Sequence, residues 1–324
     1  MKMKKILFIR RTPDTLGDGT ANYCLALADL LADDADVRAL PMRELRQKPS
    51  LFKYRYDEAE LSAAIAEADI VHINGYTAMG TVQALRMAKR QGKRVIYSAH
   101  WHPFETLRHP LAARLFFNLF VRPAIKRYAD EVLTINRDDT TFFRAFHPRV
   151  TMIPHWQKKG QTYPSVSRSP RMILFVGRLN DPMKGSEYVM RLPEGQYDIH
   201  CVGNGVLPTR SDVTHHVGIS ASTLDELYAQ ASLVVVPSRY EAFSYVAMEA
   251  LCAGTPVLMS DRVRIADHLP ADAGHTIFPY GDSEAFVRLV PSSMEKVVDV
   301  GCIRAIFSAE HAVEQYKMIY LKEQ

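Results

Sequence analysis

The sequence predicts an α/β protein made of two doubly wound, Rossmann-like domains, each with a parallel sheet. Three observations carry this expectation. Short β-branched runs alternate with helical patterns along the chain, and that alternation builds βαβ units. The chain has 324 residues, enough for two domains of ordinary size. A polar stretch without periodicity, QKKGQTYPSVSRSP at 157–170, parts two series of such units and reads as a linker.

Each element follows from its local pattern. In the first half, β-rich apolar runs place strands at 5–10, 69–74, 94–100 and 131–136. Helical patterns fill 21–32, 58–68, 78–90 and 110–128. Gly92 stands just past the third of these, where a left-handed residue commonly ends a helix. The second half repeats the style, with strands at 172–176, 198–202, 232–237 and 257–260. Its helices fall near 184–191, 223–231 and 245–253. Thr223-Leu-Asp-Glu226 matches a capping box and sets one expected helix start. A last helix over 308–321 carries an apolar face that suits either domain.

Composition excludes several classes. Apolar residues make up 47% and charged residues 23%, which rules out a disordered chain or a fibre. Cys24, Cys201, Cys252 and Cys302 are far apart and form no C-x-x-C pair. They indicate neither a disulfide framework nor a zinc site, and are expected as small buried residues in a reducing compartment. The first apolar run, 6–9, is closed by Arg10-Arg11 and is too short for a signal peptide. No other stretch approaches the ~20 apolar residues of a bilayer span, so a cytoplasmic location is expected. The net charge of +4 is unevenly spread. Residues 1–160 hold 26 Lys and Arg against 17 Asp and Glu, and residues 161–324 hold 14 against 19. The basic half suits a membrane surface or an anionic substrate; its scattered charges do not favour nucleic acid.

Open α/β sheets bind ligands beyond the carboxyl ends of their strands. Titratable and glycine-bearing residues gather there: 11–20, His72 to Tyr76, His100 to His102, Gly177-Arg178, Gly203 to Gly205 and 238–241. With two such domains facing each other, these ends would line one interdomain cleft. Within PSRYEAFSYVAMEALCAGTPV (237–257), Glu241 ends a strand and Glu249 follows eight positions later, two turns into a helix. A helix N-terminus binds anions, and a carboxylate accepts two hydroxyl bonds from a sugar or ribose. The same residues also fit a helix cap and a solvated face. In FVGRLNDPMKG (175–185), Arg178 and Lys184 suit a diphosphate, or are plain surface charges. Gly17 and Gly19 permit close backbone approach or a plain turn; a P-loop is excluded because no GKS/T follows. His72 and His100 end neighbouring strands. His100 and His102 form an H-x-H pair, but no carboxylate cluster supports a metal and strand residues alternate faces. No metal site is expected.

These pieces, FVGRLNDPMKG, VGNG and PSRYEAFSYVAMEALCAGTPV in that order, resemble the retaining family-four glycosyltransferases of GT-B fold, the glycosyl transferases group 1. The glycine loop, DIVHING, IYSAH and ADEVLTIN agree in the first half. The resemblance implies an N-terminal acceptor-side domain over 1–156 plus about 306–324 and a C-terminal donor-binding domain over 157–305. It implies that Arg178 and Lys184 hold the donor diphosphate, that Glu241 contacts the transferred sugar and that Glu249 binds the ribose. Phe243, Ser244 and Tyr245 would meet the donor through backbone N–H groups. Gly17, Gly19, Gly177 and Gly203 would approach it closely, and His100 would stand near the reacting centre. His72, Tyr76 and His102 are expected on the acceptor side. Ser244 stands where the family often has glycine, and RVRIADHL after Asp261 lacks the family's glycine pair.

The implied reaction moves a hexose from a nucleotide diphosphate sugar to an acceptor hydroxyl with retention and without a metal or other cofactor. The stretch 107–127, LRHPLAARLFFNLFVRPAIKR, mixes apolar and basic residues and fits either a core helix or one resting on an anionic bilayer. Together with the basic half it points to a glycan or lipid-linked acceptor at the inner membrane face, in surface polysaccharide or lipopolysaccharide assembly. Two rivals share the fold: a nucleotide-sugar 2-epimerase, and a non-catalytic partner subunit of another transferase.

Overall fold

The structure is a computed structural model that describes residues 3–10, 19–41, 43–44, 54–75, 78–100 and 110–321. It divides into two compact units, 1–155 with 309–324, and 156–308.

The first unit contains β1 (Lys4–Arg10), α1 (Gly19–Leu30), β2 (Ala35–Pro41), β3 (Arg43–Glu44), β4 (Tyr54–Arg55), α2 (Glu58–Glu67), β5 (Ile70–Gly75), α3 (Met79–Arg90) and β6 (Arg94–Ala99). A long helix follows as α4 (Pro110–Phe116), a π turn (Phe117–Val121) and α5 (Arg122–Tyr128). Then come β7 (Glu131–Thr134), α6 (Arg137–Arg144) and β8 (Val150–Met152). The six-stranded sheet runs β2-β1-β5-β6-β7-β8 with every pairing parallel; β3 and β4 form a small antiparallel ribbon. All six residues of β5 are buried, as expected for a parallel strand covered on both faces. Asp57 caps α2 by accepting the Ala59 and Glu60 N–H groups. Gly92, at φ +70°, follows α3 as the sequence predicts.

The second unit contains β9 (Met172–Val176), α7 (Ser186–Val189), β10 (Asp198–Val202), β11 (Val213–His216), α8 (Ala221–Gln230), β12 (Leu233–Val236), α9 (Tyr245–Cys252) and β13 (Val257–Ser260). It continues with β14 (His275–Phe278), α10 (Ser283–Met294) and α11 (Val300–Ile306). Its parallel sheet runs β11-β10-β9-β12-β13-β14. Counted within the unit, this is the doubly wound order 3-2-1-4-5-6, whose direction reverses between β9 and β12. The carboxyl ends of those two strands are therefore where a ligand crevice belongs.

The last helix, α12 (Ala309–Tyr320), belongs to the first unit. Tyr316 Oη lies 2.7 Å from Tyr23 Oη, Tyr320 Oη lies 2.5 Å from His72 Nδ1, and Lys317 pairs with Asp34 at 3.1 Å.

Several expectations change. Helix α8 begins at Ala221 because Ser220, rather than Thr223, caps it: Ser220 Oγ accepts the Thr223 N–H at 3.1 Å. The helix expected at 184–191 shrinks to Ser186–Val189 because Lys184 and Gly185 form a turn. β7 stops at Thr134, since Asn136 caps α6 by accepting the Asp139 N–H. The 157–170 segment lies along the second unit instead of hanging free. The Gln157 N–H donates to Phe307 O, Gln161 Nε2 to Asp225 and the Ser169 N–H to Gln230 O. Cys24, Cys201 and Cys252 are buried as expected, whereas Cys302 is exposed on the first turn of α11. The 110–128 helix packs into the core along one face and leaves apolar side chains exposed on the other. Ala113, Phe116, Phe117, Val121, Ala124 and Ile125 enter the core, while Leu111, Leu115, Leu119 and Phe120 are exposed. Among the described residues, no helix is long and apolar enough to cross a membrane.

Candidate active site

Strand β9 ends at Val176 and delivers Gly177 and Arg178; β12 ends at Val236 and delivers Pro237 and Ser238. These two loops meet. The Arg239 N–H donates to Met183 O at 2.9 Å. Gly185 has φ +72°, and a Cβ there would stand 2.2 Å from Pro237 O. Only glycine fits both the left-handed backbone and the close approach. The turn thereby brings Lys184 onto Glu241, with Nζ 2.9 Å from Oε1. Ser238 Oγ donates to the same Oε1 at 2.7 Å. Both side chains of the ion pair are largely shielded, at 29% and 13% exposure, so water screens it less than a surface pair.

The backbone of Glu241 is fixed on both sides. Its N–H donates to Arg262 O and its carbonyl accepts the Arg264 N–H. Arg178 projects from the end of β9 with 71% of its side chain exposed and bonds Asp181. Burial pushes the Asp181 carboxyl up, but bonds from Arg178 and the Met183 N–H outweigh it and hold the group below the ordinary carboxylate value. Gly177 and Gly203 lie side by side: a Cβ on Gly203 would come within 2.0 Å of Gly177 O. The Leu179 N–H donates to Asn204 O, and the Val206 N–H to Asn180 Oδ1, so the two loops are zipped together. The glycines expected at a ligand are thus also what lets these loops touch.

Helix α9 starts at this edge. Ser244 is its N-cap, and its Oγ accepts the Ala247 N–H at 3.3 Å. Its φ of −146° is extended, so serine fits where a glycine is common in the resembled family. Phe243 is buried against Phe307 and His268, which makes it an anchor, and Tyr245 is exposed. Glu249, on the second turn, accepts the Tyr228 hydroxyl at 2.9 Å. Burial pushes its carboxyl up to about 7; the Tyr228 bond lowers it and Asp225 raises it further.

In the first unit, His72 departs from its expected acceptor-side place. It is wholly buried, with Nδ1 2.5 Å from Tyr320 Oη and Nε2 2.6 Å from Ser98 Oγ. Burial, and then its neighbour His100, lower its pKa to about 3, so it stays neutral and structural. His100 directly follows β6 and is partly exposed. Its Nε2 lies 2.7 Å from Asn74 Oδ1, and its ring faces Tyr23 and His155 at centroid distances of 4.5 and 6.4 Å. Gly19 is the first residue of α1. Gly17, Tyr76 and His102 lie outside the described residues. Ser238, Gly185 and Asn74 lie inside the stretches the sequence singles out, but the sequence assigns them no role of their own. Ser238 stands three residues before Glu241 and Gly185 directly follows Lys184, so both were within reach of the motifs. Asn74 sat in DIVHING without a distinguishing pattern.

Two doubly wound parallel sheets with these strand-end residues define a GT-B-type glycosyltransferase fold. The structure of HepE from Anabaena in complex with UDP-glucose matches it with a TM-score of 0.72 and 16% identity, covering 98% of this chain and 99% of that one. Residues 170–295 match the family described as Glycosyl transferases group 1. An uncharacterized glycosyltransferase of Methanocaldococcus jannaschii, MJ1607, is 37% identical over 111 residues, 29% of this chain and 28% of that protein. The MMP alpha-(1->4)-mannosyltransferase of Mycolicibacterium hassiacum is 25% identical over 246 residues, 66% of this chain and 58% of that protein. The matched stretches thus span less than two thirds of these relatives.

Proposed function

We propose that this protein is a retaining, metal-independent hexosyltransferase that moves a sugar from a nucleotide diphosphate donor to a hydroxyl of a glycan or lipid-linked acceptor. The observation that carries this reading is the Lys184–Glu241 pair, held by Ser238 at the point where the second sheet reverses direction. The matched family and the UDP-glucose bound to HepE support a nucleotide-sugar donor.

In this reading the second unit binds the donor and the first serves the acceptor. As the glycosidic bond breaks, charge develops on the departing phosphate oxygen. Lys184, Arg178 and the start of α9 neutralise it, the role a divalent cation has in other transferases. The known contacts to Glu241 fall on Oε1, which leaves Oε2 for a sugar hydroxyl. Glu249 accepts from the ribose diol. No carboxylate is assigned as a covalent nucleophile, so same-face displacement is favoured, with the leaving phosphate taking the acceptor proton. His100 orients the sugar or the acceptor.

A peripheral place at an anionic membrane, and a role in surface polysaccharide or lipopolysaccharide assembly, complete the reading. Its support is the outer face of the 110–128 helix. Leu111, Leu115 and Leu119 recur every four residues at 75%, 62% and 65% exposure, and Arg114, Arg122, Lys126 and Arg127 are exposed on the same helix. Apolar residues flanked by basic ones suit the interface of an anionic bilayer.

The test is a thermal-shift screen against UDP-, GDP-, ADP- and CMP-sugars without added metal. A donor at 100 times its Kd stabilises the fold by about 2.7 kcal/mol. One clear responder supports the reading and names the base. A folded sample that answers none favours the non-catalytic partner subunit. Release of the free altered sugar favours the epimerase.

A further inference from the structure

Tyr228 stands near the end of α8 and is wholly buried. Phenylalanine would fill the same space without burying a hydroxyl, and a buried tyrosine hydroxyl usually has a bonding partner. Here the partner is Glu249 of α9: Tyr228 Oη donates to Oε2 at 2.9 Å. The backbone of Tyr228 is fixed as well. Its carbonyl lies in the last turn of α8, where helical partners run out, and the Ser232 N–H that would reach it donates to Met172 O instead. Thr255 Oγ1, just past α9, donates to that carbonyl at 2.6 Å. Thr255 thus pins the tyrosine, and the tyrosine holds the glutamate.

A hydrogen bond donated to a carboxylate favours its charged form over the acid. At Glu249 burial works the other way, and the Tyr228 bond opposes it. The remaining neighbours add little that changes near neutrality. Asp225 of α8, raised by its own burial, disfavours the charge on Glu249. Burial raises Tyr163 of the 157–170 segment and pushes Cys252 of α9 up to about 12, so both stay neutral. Arg304 of α11 lies over the Tyr163 ring at 5.8 Å. Burial, and then the charge of Glu249, raise Tyr228 itself, so its hydroxyl keeps its proton.

We infer that Tyr228 is a positioning residue: its hydroxyl clamps Oε2 of Glu249 and so sets the carboxylate that the donor's hydroxyl groups meet. The role rests on the transferase reading, whereas the clamp does not.

The clamp is read by ¹³C-detected titration of the unliganded full chain. The signals followed are the Glu249 carboxyl, assigned by its loss in Glu249→Gln, and the Tyr228 ring carbon that bears the hydroxyl. In the wild type both should move with one midpoint near pH 7. A Tyr228 carbon that ignores the Glu249 titration overturns the clamp without any variant. Tyr228→Phe should move the Glu249 midpoint to higher pH, and an unchanged midpoint overturns the clamp. The role is read from affinity for the donor found by the screen above. Loss of a bond to a charged group shifts the acid–base balance about tenfold, which cuts the ionised share of Glu249 at pH 7 from about one half to about one eleventh. Tyr228→Phe should therefore weaken donor binding about fivefold at pH 7 and by less than about twofold at pH 9, where Glu249 is ionised in both proteins. An equal loss at the two pH values, or none at either, overturns the role, because lost packing is not rescued by pH. Failure of the transferase reading appears separately, as absence of donor binding by a wild type whose Glu249 and Tyr228 signals titrate together.

Discussion

Lys184 and Glu241 are 57 residues apart in sequence, yet Lys184 Nζ and Glu241 Oε1 lie 2.9 Å apart at the carboxyl ends of β9 and β12. The pair places a cation and a carboxylate where a doubly wound sheet binds its ligand. Lys184→Ala should lower kcat by on the order of 10²–10³, by analogy with loss of a single oxyanion donor. Steady-state kinetics with the responding donor checks this; full activity would remove Lys184 from the chemistry.

Gly185 makes that pair possible. Gly185→Ala would force a Cβ to 2.2 Å from Pro237 O at φ +72°. The left-handed backbone alone costs about 1–2 kcal/mol, and the clash adds to it. The expected outcome is a lower melting temperature together with weaker donor binding, because Lys184 moves with the turn. A variant that melts and binds like the wild type would show that the loops can part freely.

Glu249 should make donor binding depend on pH near neutrality. Burial raises its carboxyl from an ordinary 4.5 to about 7, so the folded protein holds a proton that the unfolded chain has released. Its contribution therefore weakens the fold as pH rises from 4.5 to 7. If ribose hydroxyls donate to Glu249 as proposed, they donate to its ionised form, so donor affinity should rise through pH 7 and level off above it. Calorimetric titrations between pH 6 and 8 check the slope, which Glu249→Gln should abolish.

His72 bridges Tyr320 and Ser98 inside the first unit. His72→Ala strands both hydroxyls, each at a cost of about 1–3 kcal/mol if left unpaired. Its folded pKa is lowered, so it makes the wild type less stable as pH falls below 6.5 towards 3. Thermal melts across that range should show the loss, and His72→Asn should remove this histidine's share of it.

Leu115→Asp with Leu119→Asp should abolish flotation with anionic liposomes at low salt and leave the melting temperature unchanged, because both side chains face solvent. Persistent flotation would remove this helix face as the docking surface.

Local pattern determined much of this protein. The strands at 172–176 and 257–260 occur as the sequence indicates, because buried parallel strands are near-continuous apolar runs; 198–202, DIHCV, also occurs, with Asp198 exposed at its start. The places of Arg178, Lys184, Glu241 and Glu249 in the fold were legible, because their spacing is carried by two strand ends, one turn and one helix. The peripheral strands β2, β8, β11 and β14 were not. Most of their described residues are only partly buried, ADVRALP, VTM, VTHH and HTIF carry no long apolar run, and their identity comes from the strand each one joins. The roles of the histidines were decided by tertiary structure alone. His72 and His100 look alike at two strand ends. The return of α12, which brings Tyr320 from 248 residues away, bonds the first, and Asn74 on the neighbouring strand bonds the second. A side chain's burial and tautomer depend on atoms brought to it through space, and spacing along the chain does not record them.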